Sequence, residues 1–225
     1  MEPYISVIIV TYNYAKYLPR ALNACLNQTF KDFEIVIVNN GSTDNTGEVI
    51  DKFCSAHPEL NINVKVIEKN IGLPNGRNIG LDAATGAYIM FNDADDWMEN
   101  NCLEIFAAIT KRTNADKVRG AYNVIDINGK IGEYIYKKDI SQWLTGEFQG
   151  VIFKKNILTE NNIIIPLDIK AEDYFFNFEF NKYSKTNIIC KNIIYNHYIH
   201  HKSTSRKISS VTILKDLLNI YMPYY

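Results

Sequence analysis

The sequence predicts a single α/β domain, a mixed but mostly parallel sheet flanked by helices, with a smaller mixed region on its C-terminal side. Three observations carry this. Residues 5–10 (ISVIIV) are an almost unbroken β-branched apolar run, the pattern of a strand buried on both faces. Strand-like and helix-like segments alternate four times before residue 92, which implies parallel strands joined by crossover helices. Three acids, Asp93, Asp95 and Asp96, follow the fourth strand directly, and open α/β sheets hold ligands at the carboxyl ends of their strands.

After the first strand, Leu18, Ala21, Leu22, Cys25 and Leu26 recur at the three-and-four spacing of a helix, and residues 33–38 form the second strand. Residues 39–44 (NNGSTD) are a polar turn with a helix N-cap signal, continued as a helix by Val49, Ile50 and Phe53. Residues 63–68 read as the third strand. A Gly- and Asn-rich loop over 70–76 leads to a helix marked by Ile79, Leu81 and Ala84, which Gly86 closes before a strand at 87–91. Beyond a helix around 103–110, strands at 117–126 and 131–136 are joined through Asn128-Gly129 as a hairpin. Glu172-Asp173 opens an aromatic helix over 174–183, and 187–198 is a late strand. The sequence has no internal repeat and no linker long enough to separate domains.

The chain's 225 residues fit one large domain, and 47% hydrophobic with 22% charged residues is an ordinary globular composition. Lys plus Arg number 24 against 25 Asp plus Glu, so a net charge of -1 offers nucleic acid no attraction. Cys25, Cys54, Cys102 and Cys190 form no C-x-x-C pair and are expected to be buried free thiols. The apolar run at 5–10 is too short for a signal segment and far below the ~18 residues of a membrane span. The expected setting is cytoplasmic and reducing.

Asp93-x-Asp95, with Asp96 beside it, places carboxylates together between apolar Phe91 and Trp97. Such acids repel unless a cation joins them, and hard oxygen ligands suit Mg²⁺ or Mn²⁺, with a diphosphate supplying further oxygens. Capping of the following helix is the other use of Asp95 or Asp96.

Six stretches, in this order, resemble the family 2 glycosyltransferases, whose Rossmann-type nucleotide-sugar fold is called GT-A. They are residues 6–13 (SVIIVTYN), 28–35 (QTFKDFEI), 39–44 (NNGSTD), 76–80 (GRNIG), 91–96 (FNDADD) and Glu172-Asp173. The resemblance implies a nucleotide-sugar half over residues 1–97 and an acceptor half over 98–207, which leaves an amphipathic tail over 208–225. It implies that the donor base stacks on Tyr12, with Thr11 and Asn13 beside it. Asn40 falls where the family usually has an Asp that reads the base edge, and Asn39 also departs from the acidic pair, which loosens a uridine preference. Arg77 and Asn78 match the family's Arg-Asn pair, implied to contact base, ribose or phosphate. Asp95 matches the principal metal ligand, and Asp93 the acid that meets ribose or metal.

Glu172-Asp173 matches the acidic pair whose second member acts as general base towards an acceptor hydroxyl, so Asp173 is the expected base and Glu172 orients it. An acidic first helical turn is the rival use of that pair. His197, His200 and His201 follow the late strand. Related enzymes often carry a metal-completing His in this region, a role open to His200 or His201, while a surface loop is the alternative.

The implied reaction is single displacement with inversion, from a nucleoside diphosphate sugar, UDP favoured, to a glycan or lipid-linked acceptor, with Mn²⁺ or Mg²⁺. Processive members carry Q-x-x-R-W and membrane spans, which this sequence lacks, so single additions in surface polysaccharide synthesis are expected. The tail carries Leu214, Leu217, Leu218 and Tyr221 on one face after Lys202, Arg206 and Lys207. That pattern suits an anionic membrane surface, packing on the body, or a second subunit in a homodimer. A nucleotidyltransferase would show a Gly-rich phosphate loop near the first strand, and residues 11–18 contain no glycine. A non-catalytic nucleotide-sugar binder is the other alternative, motivated by Asn39 and Asn40.

Overall fold

A computed structural model describes residues 2–129, 131–134, 147–167, 169 and 171–200, with backbone only at 133 and 134. Strands β1 (Ile5–Thr11), β2 (Phe33–Asn40), β3 (Ile62–Ile67) and β4 (Tyr88–Phe91) run parallel in the order β3-β2-β1-β4. The chain therefore winds outward from β1 through β2 to β3, then returns to the other side of β1. That reversal makes the carboxyl ends of β1 and β4 the switch point, where side chains from diverging loops frame a crevice. The second half extends the same sheet with β8 (Val151–Lys154), β6 (Lys117–Asp126), β9 (Asn187–Ile199) and β5 (Trp97–Met98), and β7 (Ile131–Tyr134) pairs β6 as the expected hairpin.

β1 is buried on both sides, and alternate residues feed two cores. Ile5, Val7 and Ile9 face α1 (Leu18–Leu26), α2 (Thr46–Ala56) and α4 (Cys102–Thr113), while Ile8 joins Ile89, Phe91, Phe153, Phe176 and Phe180 on the other side. That second core contains α5 (Lys155–Glu160) and α6 (Glu172–Tyr183), which holds Asp173 in its first turn. Phe176 is fully buried with edge-to-face contacts to Phe91, Phe148 and Phe153. Phe176→Ala should cost about 3–5 kcal/mol of stability in urea unfolding, because packing contacts are lost and a cavity remains.

α3 (Leu73–Ala83) begins inside the stretch read as a loop, with Pro74 in its first turn, where a missing N–H costs nothing. It packs on β1 through two glycines: a Cβ at Gly80 would lie 2.4 Å from Ile8 Cγ2, and one at Gly76 would lie 2.6 Å from Val10 Cγ1. The close approach seats the intervening Arg77 beneath the end of the sheet. β5, β8 and α5 have no counterpart in the sequence reading, being too short for periodicity to mark. All four cysteines are free, and Cys25, Cys102 and Cys190 are buried. Among the described residues no helix is long and apolar enough to cross a membrane. The 208–225 tail lies outside the described residues.

Candidate active site

The end of β1 turns sharply at Asn13, whose φ of 55° is one that Asn tolerates. Its Oδ1 accepts from the Thr43 N–H at 2.7 Å and the Asp44 N–H at 3.2 Å, and its own N–H donates to Ser42 Oγ at 3.0 Å. Asn13 thus fastens the loop after β1 to the loop after β2. Tyr12, just before it, is left 41% exposed on the wall of a cavity. Thr11, the last residue of β1, is buried.

The three acids after β4 have separate surroundings. Asp96 is fully buried, accepting from the Tyr198 N–H at 2.8 Å and pairing with His197 Nδ1 at 3.1 Å. Burial opposes a charge on His197, but the hydrogen bond and field of Asp96 outweigh it and lift the imidazole to about 9. Asp95 Oδ2 meets His200 Nε2 at 2.7 Å. Burial, then the fields of Asp96 and Asp93, push the Asp95 carboxyl up to about 8. His200 is itself stacked on Tyr17 at 4.6 Å, and Arg20 donates to the Asp95 carbonyl at 2.6 Å from between the rings of Trp97 and Tyr198. The strand-end acids are held by α1 on one side and the end of β9 on the other.

Asp93 Oδ1 accepts from Arg77 Nη2 at 2.9 Å, and Arg77 Nη1 reaches Glu172 Oε1 at 2.9 Å. Arg77 is 6% exposed, and its guanidinium lies 4.9 Å from the Phe148 ring centre. It therefore bridges the acids at the end of β4 to the acids opening α6. Asp173, the next residue, is pushed up to about 7 by burial and then by Glu172, with Arg77 pulling the other way. Tyr12, Asn40, Arg77, Asp93, Asp95, Glu172 and Asp173 all line one cavity of ≈ 470 Å³.

The sequence profile described as Glycosyl transferase family 2 matches residues 6–169. The chain belongs to glycosyl transferase family 2. An uncharacterized family glycosyltransferase of Haemophilus influenzae is 30% identical over 215 residues, which covers 94% of this chain and 82% of that protein. A crystal structure of residues 1–349 of Staphylococcus aureus TarS in complex with UDP-GlcNAc matches with a TM-score of 0.80 and 25% identity, covering 92% of this chain and 61% of that one. TarS is a poly(ribitol-phosphate) beta-N-acetylglucosaminyltransferase. A Pyrobaculum calidifontis mannosyltransferase in complex with GDP-Man and Mn²⁺ shares the fold, with a TM-score of 0.74 at 19% identity over 97% of this chain and 63% of that one. The chain spans 16% of the length of the Streptococcus pneumoniae glycosyltransferase GlyA and 31% of TarS. The sheet described above is the GT-A arrangement of this family.

Within this glycosyltransferase fold, the expected donor residues divide. Asn78 is outside the cavity lining: its Nδ2 donates to the Ile165 carbonyl at 2.8 Å and its Oδ1 accepts from the Ile165 N–H at 2.8 Å. It braces the segment ahead of α6, and Thr11 and Asn13 are likewise absent from the cavity lining. His201 lies outside the described residues, while His200 reaches Asp95. Sequence reasoning missed Tyr14, Tyr122, Glu147 and Gln149 as cavity residues. Tyr122 Oη donates to Glu147 Oε2 at 2.8 Å, and Gln149 Nε2 reaches Asp93 Oδ2 at 3.4 Å. No motif marks them, because loop and strand positions a long way apart in sequence meet only in the folded chain.

Among the described residues no group of three His, Cys, Asp or Glu side chains forms a ready metal site. Asp93 and Asp95 still fit a divalent ion. Two hard carboxylates face the cavity at 30% and 15% side-chain exposure, and the fields of Asp96 and Asp93 act against a charge on Asp95 more strongly than His197 favours it. Mg²⁺ and Mn²⁺ sites of this kind take one or two carboxylates and complete their shell with substrate phosphates.

Proposed function

We propose that the chain is an inverting, metal-dependent glycosyltransferase that moves a sugar from a nucleoside diphosphate donor, UDP favoured, to a hydroxyl of a glycan or lipid-linked acceptor in surface polysaccharide synthesis. One observation carries the reading: Tyr12, the Asp93 and Asp95 carboxylates, and Asp173 line the same cavity at the switch point of the sheet. The complexes of TarS with UDP-GlcNAc and of the Pyrobaculum enzyme with GDP-Man and Mn²⁺ support a nucleotide-sugar donor. The work is assigned to the cytoplasm, at the inner face of the membrane when the acceptor is lipid-linked.

Tyr12 offers its half-exposed ring to the donor base. Asp93 and Asp95 would hold Mn²⁺ or Mg²⁺, which supplies charge neutralisation at the departing diphosphate. Asp173 takes the proton of the acceptor hydroxyl as that oxygen bonds to the anomeric carbon. The carbon–oxygen bond to the diphosphate breaks on the opposite side, the leaving group keeps the electron pair, and the anomeric centre inverts. A base near 7 matches a reaction run near neutrality, where the ionised form is populated and still basic. Glu172, tied to Arg77, keeps Asp173 at the cavity wall.

The test is nucleotide release from a panel of UDP- and GDP-linked sugars, which leave a nucleoside diphosphate, and CMP-linked sugars, which leave CMP, with oligosaccharide acceptors and Mn²⁺. The reading expects one nucleoside diphosphate donor to turn over, with the product anomer inverted. A retained anomer, or no turnover of any donor, would contradict it. Tyr12→Ala should weaken donor binding by about 1–3 kcal/mol, the worth of one base stacked on an aromatic ring, read as a rise in donor Kd by calorimetry.

A further inference from the structure

Asn40 ends β2 in the cavity wall, yet it is 2% exposed and both ends of its amide are engaged by the loop opposite. Its Oδ1 accepts from the Ile71 N–H at 3.2 Å, and its Nδ2 donates to the Gly72 carbonyl at 3.0 Å and to Asn70 Oδ1 at 3.3 Å. Asn70 Oδ1 also accepts from the Gly72 N–H at 2.8 Å, which closes the loop on itself. The orientation of the Asn40 amide follows from its partners. Turned over, its oxygen would face the Gly72 carbonyl and its NH₂ would face the Ile71 N–H.

Gly41 lets the loop come this close, since a Cβ there would lie 2.3 Å from the Asn70 nitrogen, and its φ of +73° suits glycine. An aspartate at position 40 would keep the bond from Ile71 but lose both donations. It would also set a carboxylate oxygen against the Gly72 carbonyl and the Asn70 amide oxygen. The loop that carries Asn70, Gly72 and Leu73 to the cavity thus requires an amide at position 40, not an acid.

We infer that Asn40 is a positioning residue that holds loop 70–72 as the wall selecting the donor base, and that it does not read the base itself. This rests on the proposal that a nucleoside diphosphate binds in the cavity. It also reverses the expectation drawn from the family's acidic residue at this position: restoring the acid should weaken donor binding. Base choice then belongs to Asn70 and the backbone of Gly72 and Leu73.

The experiment compares the full chain with its Asn40→Asp and Asn40→Ser variants. Backbone amide exchange of residues 70–72 is followed without ligand, and UDP and GDP binding is measured by calorimetry with Mn²⁺. Both variants should speed loop exchange and weaken UDP binding, Asn40→Asp by about tenfold or more, the scale set by losing buried hydrogen bonds. The ratio of UDP to GDP affinity should also shift, which a general loss of stability would not produce. Equal or tighter UDP binding by Asn40→Asp, with loop exchange unchanged, would overturn the inference. Wild-type protein that binds neither nucleotide would instead remove the donor reading, and the ligand-free exchange would still decide whether Asn40 holds the loop.

Discussion

Asp173→Asn is expected to lower the rate of sugar transfer by about 10² to 10⁴, the usual contribution of a positioned general base, while donor binding persists. An amide is nearly isosteric with the carboxylate but cannot take the hydroxyl proton. The Asp173 carboxyl is held up at about 7 by its burial and by Glu172, so in the wild-type protein the ionised fraction grows as pH rises through that value. Transfer should therefore be slow on the acid side and level off on the basic side. The variant should lose that limb of the profile. A variant that turns over at the wild-type rate would remove Asp173 from the mechanism.

Arg77→Met carries the second large effect. The arginine is nearly buried, and its two 2.9 Å ion pairs give Asp93 and Glu172 their countercharge. Removing it leaves two carboxylates facing one another across an apolar side chain. Breaking a buried pair in this way costs about 3–5 kcal/mol, with the lower end expected because Asp93 is 30% exposed. Thermal or urea unfolding measures the loss. The same change removes a cation that pulls Asp173 downward, so the acid limb of the rate profile should move to higher pH. Unchanged stability together with an unmoved profile would show that the bridge is dispensable.

The first half of the fold was readable because parallel strands buried on both faces have few choices. The runs at 5–10 and 33–38 can lie only inside a sheet with helices on either side. The second half was harder for a physical reason. β8 and α5 are four and six residues long, and their place is set by pairing with β4 and β6 and by contact with α6. The site followed the same division. Asp93, Asp95, Glu172 and Asp173 sit at element ends that the pattern locates, and they reach one cavity.

What sequence alone could not show is which polar groups face the ligand and which face the protein. Asn13, Asn78 and Asn40 are chemically alike, yet one fastens two loops, one braces Ile165 and one holds loop 70–72. The histidine cluster was visible as a pattern of spacing. Only the folded backbone pairs His197 with Asp96 and His200 with Asp95.

Asp93 and Asp95 are expected to gather a divalent ion around the diphosphate of a nucleotide held beside Tyr12. Calorimetric titration of UDP into the wild-type protein and Asp95→Asn, each with Mn²⁺ and with chelator, tests it most directly. Tight uptake by wild type is expected only when Mn²⁺ is present, with a loss of that dependence in the variant. Uptake by the wild-type protein that ignores the metal, or an Asp95→Asn protein that responds to Mn²⁺ as the wild type does, would contradict it.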